Sequence, residues 1–112
     1  MHTGKTTQTG LYLLEDLLVR QGRGSECSIV CTQPRRIAAI SVAERVAREA
    51  AQGRAGDGLV GYQVRLDARC SAQTRLMFCT PGVLLRRLQS PTVWEGISHI
   101  LLVGYCTCRL DG

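Results

Sequence analysis

Strand-length apolar runs alternate with amphipathic helical segments along this chain, and that alternation restricts its fold more than any other feature. Residues 26–32 (E-C-S-I-V-C-T), 75–80 (R-L-M-F-C-T) and Ile97 to Val103 read as strands of the buried kind, and residues 59–66 (L-V-G-Y-Q-V-R-L) as a further short strand. From about Pro34 to Gln52 the period becomes helical. Ile40, Ala43, Ala47 and Ala50, flanked by Val42 and Val46, form an apolar stripe opposite Glu44, Arg45, Arg48 and Glu49, with Glu44 and Arg48 in the favourable i, i+4 order. Pro81-Gly82 opens a further helix with Val83, Leu84, Leu85 and Leu88 apolar, and Ser90-Pro91 breaks it. Gly53 to Gly58 reads as a loop and Asp67 to Ser71 as a polar turn. Strands separated by helices require crossover connections. The expected fold is therefore α/β, a mostly parallel sheet covered on both faces, with ligands beyond the carboxyl ends of its strands. Thr32 to Arg36 and Thr80 to Gly82 fall at that edge.

Of fourteen basic residues only Lys5 is a lysine, and it stands in Gly4-Lys5-Thr6-Thr7-Gln8. A G-K-[ST] core ahead of a helix is the second half of a phosphate-binding loop. Backbone N–H groups face the phosphates, the ammonium reaches the β/γ-phosphates, and Thr6 is placed to ligate Mg²⁺. A helix does follow in the pattern: Leu11, Leu14 and Leu18, widened by Leu13 and Leu17, with Gly22 and Gly24 as its stop. The full motif starts with an earlier glycine at the end of a strand, and here Met1, His2 and Thr3 precede Gly4.

The 112 residues allow at most one domain, short for a complete nucleotide-hydrolysing unit, and the net charge of +5 favours a polyanionic partner. No apolar run approaches membrane-spanning length and no secretory signal is present, so an intracellular setting, nucleus or cytoplasm, is expected. Of the six cysteines, Cys27, Cys31 and Cys79 lie in apolar runs and read as buried free thiols. The spacings Cys27-x3-Cys31 and Cys106-x-Cys108 are not those of paired zinc knuckles. His2 and His99 carry no specific signal.

Longer stretches resemble a known family. C-T-Q-P-R-R-I-A-A-I-S-V-A-E-R-V-A (31–47) closely resembles motif Ia of the DEAH/DExH-box RNA helicases with its following helix. G-K-T-T-Q (4–8) is similar to motif I, G-Y-Q-V-R (61–65) to the run after motif Ia, T-R-L-M-F-C-T-P-G-V-L-L-R-R-L (74–88) to motif Ib, and I-S-H-I-L-L (97–102) to the strand leading into motif II. The resemblance covers about residues 4–102 in family order, with 103–112 a divergent tail. It implies the first RecA-like domain of an ATP-dependent RNA helicase: a three-layer P-loop NTPase fold with a mostly parallel sheet, truncated at both ends. By the same resemblance Gly4, Lys5, Thr6 and Thr7 would hold ATP with Thr6 on Mg²⁺. Arg35 and Arg36, with Gln33 in support, and Thr80 and Gly82 would contact RNA through its backbone phosphates, and a second RecA-like domain would be the partner. Phosphate contacts bind without reading sequence, which suits a motor. Arg65, Arg86 and Arg87 read as solvated or structural, and Tyr12 and Tyr62 as packing residues.

The likeness breaks at motif II. Asp-Glu is expected directly after Leu102, where Val103 and Gly104 stand instead, and Asp111 lies about 25 Å of extended chain too far along to replace them. The chain is therefore expected not to hydrolyse ATP by itself. The alternatives are a nucleic-acid-binding module without catalysis, or an unstable truncated product whose sheet has an open slot where the phosphate-loop strand would sit.

Overall fold

The computed structural model describes residues 12–16, 28–51, 53–90 and 96–102, and the backbone alone of 105–108. The strands are β1 (Ile29–Thr32), β2 (Val60–Val64), β3 (Asp67–Arg69), β4 (Leu76–Cys79), β5 (His99–Leu102) and β6 (Tyr105–Cys108); the helices are α1 (Arg36–Glu49) and α2 (Pro81–Leu88). They form one six-stranded sheet in the order β3-β2-β4-β1-β5-β6. β1 pairs in parallel with β4 on one side and β5 on the other, and β4 pairs in parallel with β2. β3 and β6 close the two edges antiparallel. The open slot expected at the centre is absent among these strands, because β1 bonds directly to both its neighbours.

Alternation along β1 and β4 divides the core. Ile29, Cys31, Leu76 and Phe78 face one side, where they pack with Ala39, Val42, Ala43, Val46 and Ala47 of α1. Leu14, in the helical stretch 12–16, joins the same cluster. Val30, Met77 and Cys79 face the other side and meet Leu84 of α2 together with Ile97. The small side chains of α1 let its axis lie close to the sheet, and Phe78 fills the space beneath, fully buried. Burial pushes the Cys31 thiol up to about 12 and the Cys79 thiol up to about 11, so both act as inert core residues. The crossovers β1–α1–β2 and β4–α2–β5 travel in opposite directions across the sheet. Connections of one hand then put their helices on opposite faces, as found.

Two local expectations are corrected. The polar segment from Asp67 is strand β3, joined to β2 by the turn Arg65-Leu66. Leu66 takes a left-handed φ of 69°, a conformation uncommon for a branched residue, and this closes the hairpin two positions earlier than its polarity suggests. The Tyr62 hydroxyl, on a ring buried in the core, donates to Asp67 across the pair at 3.1 Å. Glu44 pairs with Arg54 rather than with Arg48. Its Oε2 accepts from Arg54 Nη2 at 2.7 Å and its Oε1 accepts from the Ala55 backbone N–H at 2.7 Å. Those bonds pin the loop 53–58 to α1, while Arg69 Nε donates to the Ala55 carbonyl at 2.8 Å and ties β3 to the same loop.

The Arg54 hydrogen bond, then the Ala55 N–H, hold the Glu44 carboxyl below its usual range. A depressed carboxylate contributes stability above its unfolded value of about 4.3, and that contribution is lost as pH falls through the folded value. Glu44→Gln should therefore lower the thermal unfolding midpoint at neutral pH and flatten its fall between roughly pH 5 and pH 3. Midpoints of equal height at neutral pH would contradict the tether. Gly61 gives a second test. A Cβ there would lie 2.6 Å from the Arg69 carbonyl oxygen, so Gly61→Ala should destabilise by about 1–3 kcal/mol, measurable by denaturant unfolding.

Candidate nucleic-acid interface

Because β1, β2, β4 and β5 run parallel, their carboxyl ends share one rim. Two strand-to-helix loops leave it side by side. The first is Gln33-Pro34-Arg35 between β1 and α1, and the second is Thr80 between β4 and α2. The Gln33 backbone N–H donates to the Cys79 carbonyl at 2.8 Å, carrying the β1–β4 ladder one residue past the strands and fixing the loops against each other. On the other side, Thr32 Oγ1 donates to the Leu101 carbonyl at 3.4 Å, a long bond that joins the same loop to β5.

Both helices begin at this rim without a side-chain cap. Arg35 is the N-cap of α1 and Thr80 that of α2, each in extended conformation, and neither first turn holds an acidic residue. The first N–H groups of a helix have no intrahelical partner and sit at the positive end of the dipole. Proline at the first position of α2 removes one of them, which leaves the Gly82 and Val83 N–H groups facing outward. A Cβ built on Gly82 meets nothing within 4 Å, so packing does not demand glycine there and the approach to its backbone is open. Arg35 and Arg36 are exposed at the start of α1, with Ile37 75% exposed beside them. The arrangement can receive extended polyanion: two cations, two uncapped helix starts and a hydroxyl along one edge.

The sequence-derived residues thus divide three ways. Arg35, Arg36, Thr80 and Gly82 come together. Gln33 lies in the same loop but its side chain is buried, and its Nε2 has no hydrogen-bond partner. Gly4, Lys5, Thr6 and Thr7, together with Val103 and Gly104, lie outside the described residues. One further group, Arg65, reads from sequence as solvated or structural and not as part of this edge. The β2–β3 turn is also at the carboxyl rim, next to the Thr80 loop, because β2 is the parallel neighbour of β4. Exposed Arg65 and the 93% exposed Leu66 stand at its tip. Reading Asp67 to Ser71 as the turn hid this. A hairpin turn placed at Arg65 would have put that arginine on the same edge.

Among the described residues no group of three or more histidine, cysteine or acidic side chains could hold a metal ion, and no helix is long and apolar enough to cross a membrane. His99 opens β5 half-buried, its Nδ1 3.0 Å from Ser98 Oγ.

No family model matches the chain. Individual relatives do. It is 48% identical over 103 residues to the human ATP-dependent RNA helicase DHX29, covering 89% of this chain and 8% of that protein. It is 54% identical over 100 residues to the human putative ATP-dependent RNA helicase DHX57, covering 88% of this chain and 7% of that protein. It is 50% identical over 99 residues to the Arabidopsis thaliana DExH-box ATP-dependent RNA helicase DExH1, covering 88% of this chain and 10% of that protein. The chain spans about a tenth or less of the length of these curated relatives. Identity near one half across nearly the whole chain, repeated in plant and animal relatives, assigns it: the chain belongs, as a segment, to the DExH-box RNA helicase family.

Proposed function

We propose that this chain is part of the first RecA-like domain of an ATP-dependent RNA helicase, a three-layer phosphate-loop fold, and that its carboxyl rim grips the RNA backbone. The observation that carries the reading is the pairing of the β1–α1 and β4–α2 loops through Gln33 and Cys79, which lines up Arg35, Arg36, Thr80 and Gly82 on one edge. Arg35 and Arg36 neutralise successive phosphates, and the Thr80 hydroxyl and Gly82 N–H donate to their oxygens. Arg65 extends the same basic edge past β2. None of these groups reads a base, so binding is indifferent to sequence and sensitive to salt.

ATP with Mg²⁺ would be held by Gly4, Lys5, Thr6 and Thr7, the Thr6 hydroxyl on the metal. The donor set fits binding: one ammonium, two hydroxyls and backbone N–H groups suit a triphosphate. It does not fit hydrolysis. The carboxylates that hold Mg²⁺ through water and orient the attacking water are replaced by Val103 and Gly104. In the parent protein, binding and hydrolysis of ATP between this domain and a second RecA-like domain would drive movement along RNA.

Three results are expected. First, fluorescence anisotropy on single-stranded RNA should show Arg35→Ala/Arg36→Ala weakening binding and reducing the log–log salt slope by about 1–2. An unchanged slope would remove both arginines from the interface. Second, Gly82→Ala should leave the unfolding midpoint unchanged or slightly raised, since alanine suits a helix, yet weaken RNA binding. Unaltered affinity would take the Gly82 N–H off the RNA path. Third, phosphate release from ATP should not exceed background or depend on Lys5, and a rate lost in Lys5→Ala would contradict the reading of Val103 and Gly104.

A further inference from the structure

A second polar site lies away from the RNA rim. At the amino ends of β1 and β4, on the α2 face of the sheet, a cavity of about 120 Å³ is bounded by Ser28, Cys70, Ser71, Thr74, Arg75 and Arg87, among others. Its position is the opposite edge from Arg35 and Thr80, since Ile29 and Leu76 begin the parallel strands that end there. A single water needs roughly 10–15 Å³ of such space, so this cavity has room for several waters or one tetrahedral oxyanion. Among the described residues no carboxylate lines it.

Its two arginines are half-buried, and among the described residues each meets neutral acceptors only. Arg75 Nη1 donates to the carbonyls of Ala72 at 3.0 Å and Thr74 at 3.1 Å. Arg87 Nη1 donates to Gln63 Oε1 at 2.8 Å and rests 3.1 Å from Met77 Sδ. Arg54 and Arg69, by contrast, reach Glu44 at 2.7 Å and Asp57 at 3.6 Å. The remaining N–H groups of Arg75 and Arg87 have no protein partner among these residues. The hydroxyls are placed to donate as well. Ser71 Oγ accepts from the Gln73 N–H at 3.2 Å and Thr74 Oγ1 from the Ser71 N–H at 2.9 Å, leaving both O–H groups available. Partly desolvated guanidinium without a counter-charge is costly, and an oxyanion restores both charge balance and forked hydrogen bonds.

From this geometry we propose that the cavity binds one phosphate-type oxyanion, free or carried on a larger molecule, with Arg75 and Arg87 as charge partners and Ser71 and Thr74 as hydroxyl donors. The site lies at the opposite end of the strands from the RNA rim, and it does not depend on the function proposed above. Cys70, exposed at its edge, reports occupancy when its own peptide is followed, and of the other described cysteines Cys31 and Cys79 are both buried.

The test is a titration of the ¹⁵N-labelled chain with inorganic phosphate against chloride at constant ionic strength. Saturable shifts of the Ser71, Thr74 and Arg75 amides are expected, with slower alkylation of Cys70 on peptide mapping. Both effects should persist in Lys5→Ala, which removes phosphate bound at the nucleotide loop. Arg87→Gln and Arg75→Gln should each weaken the binding by roughly tenfold, the loss of one charge-assisted contact. If Arg87→Gln unfolds the chain through its bond to Gln63, Arg75→Gln carries the test alone. A 5′-phosphorylated dinucleotide shifting the same amides more tightly than inorganic phosphate identifies a carried phosphate, and weaker binding identifies the free ion. No saturable shift at these amides, shifts unchanged in the arginine variants, or shifts abolished by Lys5→Ala would overturn the proposal.

Discussion

Everything in this fold is arranged around the parallel pairing of β1 between β4 and β5. That central strand is buried on both faces, and its pairing with β4 fixes which residue ends where: Thr32 lies opposite Cys79, so the two loops emerge level. A slip of β1 by one residue would turn Ile29 and Cys31 out of the α1 core and place Val30 in it. The register is therefore held by the core, and the level loops follow from the register. An interface for a regular polyanion needs that spacing more than it needs any individual side chain.

Much of this was legible in the amino-acid sequence, for definite physical reasons. β1 and β4 are continuous apolar runs because strands buried on both faces need no polar side, and α1 shows a period of small apolar residues because it packs tightly on the sheet. Other features were hidden. β3 is an exposed edge strand written D-A-R, whose composition is that of a turn, and its true turn depends on Leu66 adopting a left-handed conformation that no pattern signals. Strand neighbours could not be read either. A chain that forms β4 after β2 but inserts it between β2 and β1 leaves no trace of that order in its periodicity. The Glu44 partner was misassigned because Arg48 is near in sequence, while Arg54 comes near only once the loop folds back.

The candidate site was legible in the same uneven way. The arginines and the threonine-proline-glycine helix start were visible as motifs, and the sheet brings them to one edge. Arg65 gained a place on that edge only when the hairpin was seen. Gln33 is a different case: it is polar, 4% exposed, and carries an orphaned amide, so its burial sets it apart from the exposed arginines two and three residues on. The chain's excess of arginine is also not uniform in its use. Some arginines close ion pairs that tether loops, some lie open along the rim, and two flank a cavity that has no acid among its described lining.

The most direct test of the account is a map of amide chemical-shift changes on adding a short single-stranded RNA to the labelled chain. The level-loop arrangement predicts perturbations concentrated at residues 33–37 and 80–83, extending to Arg65, and diminishing together as salt is raised. Perturbations confined to the middle of α1, or to the amino ends of β1 and β4, would contradict it.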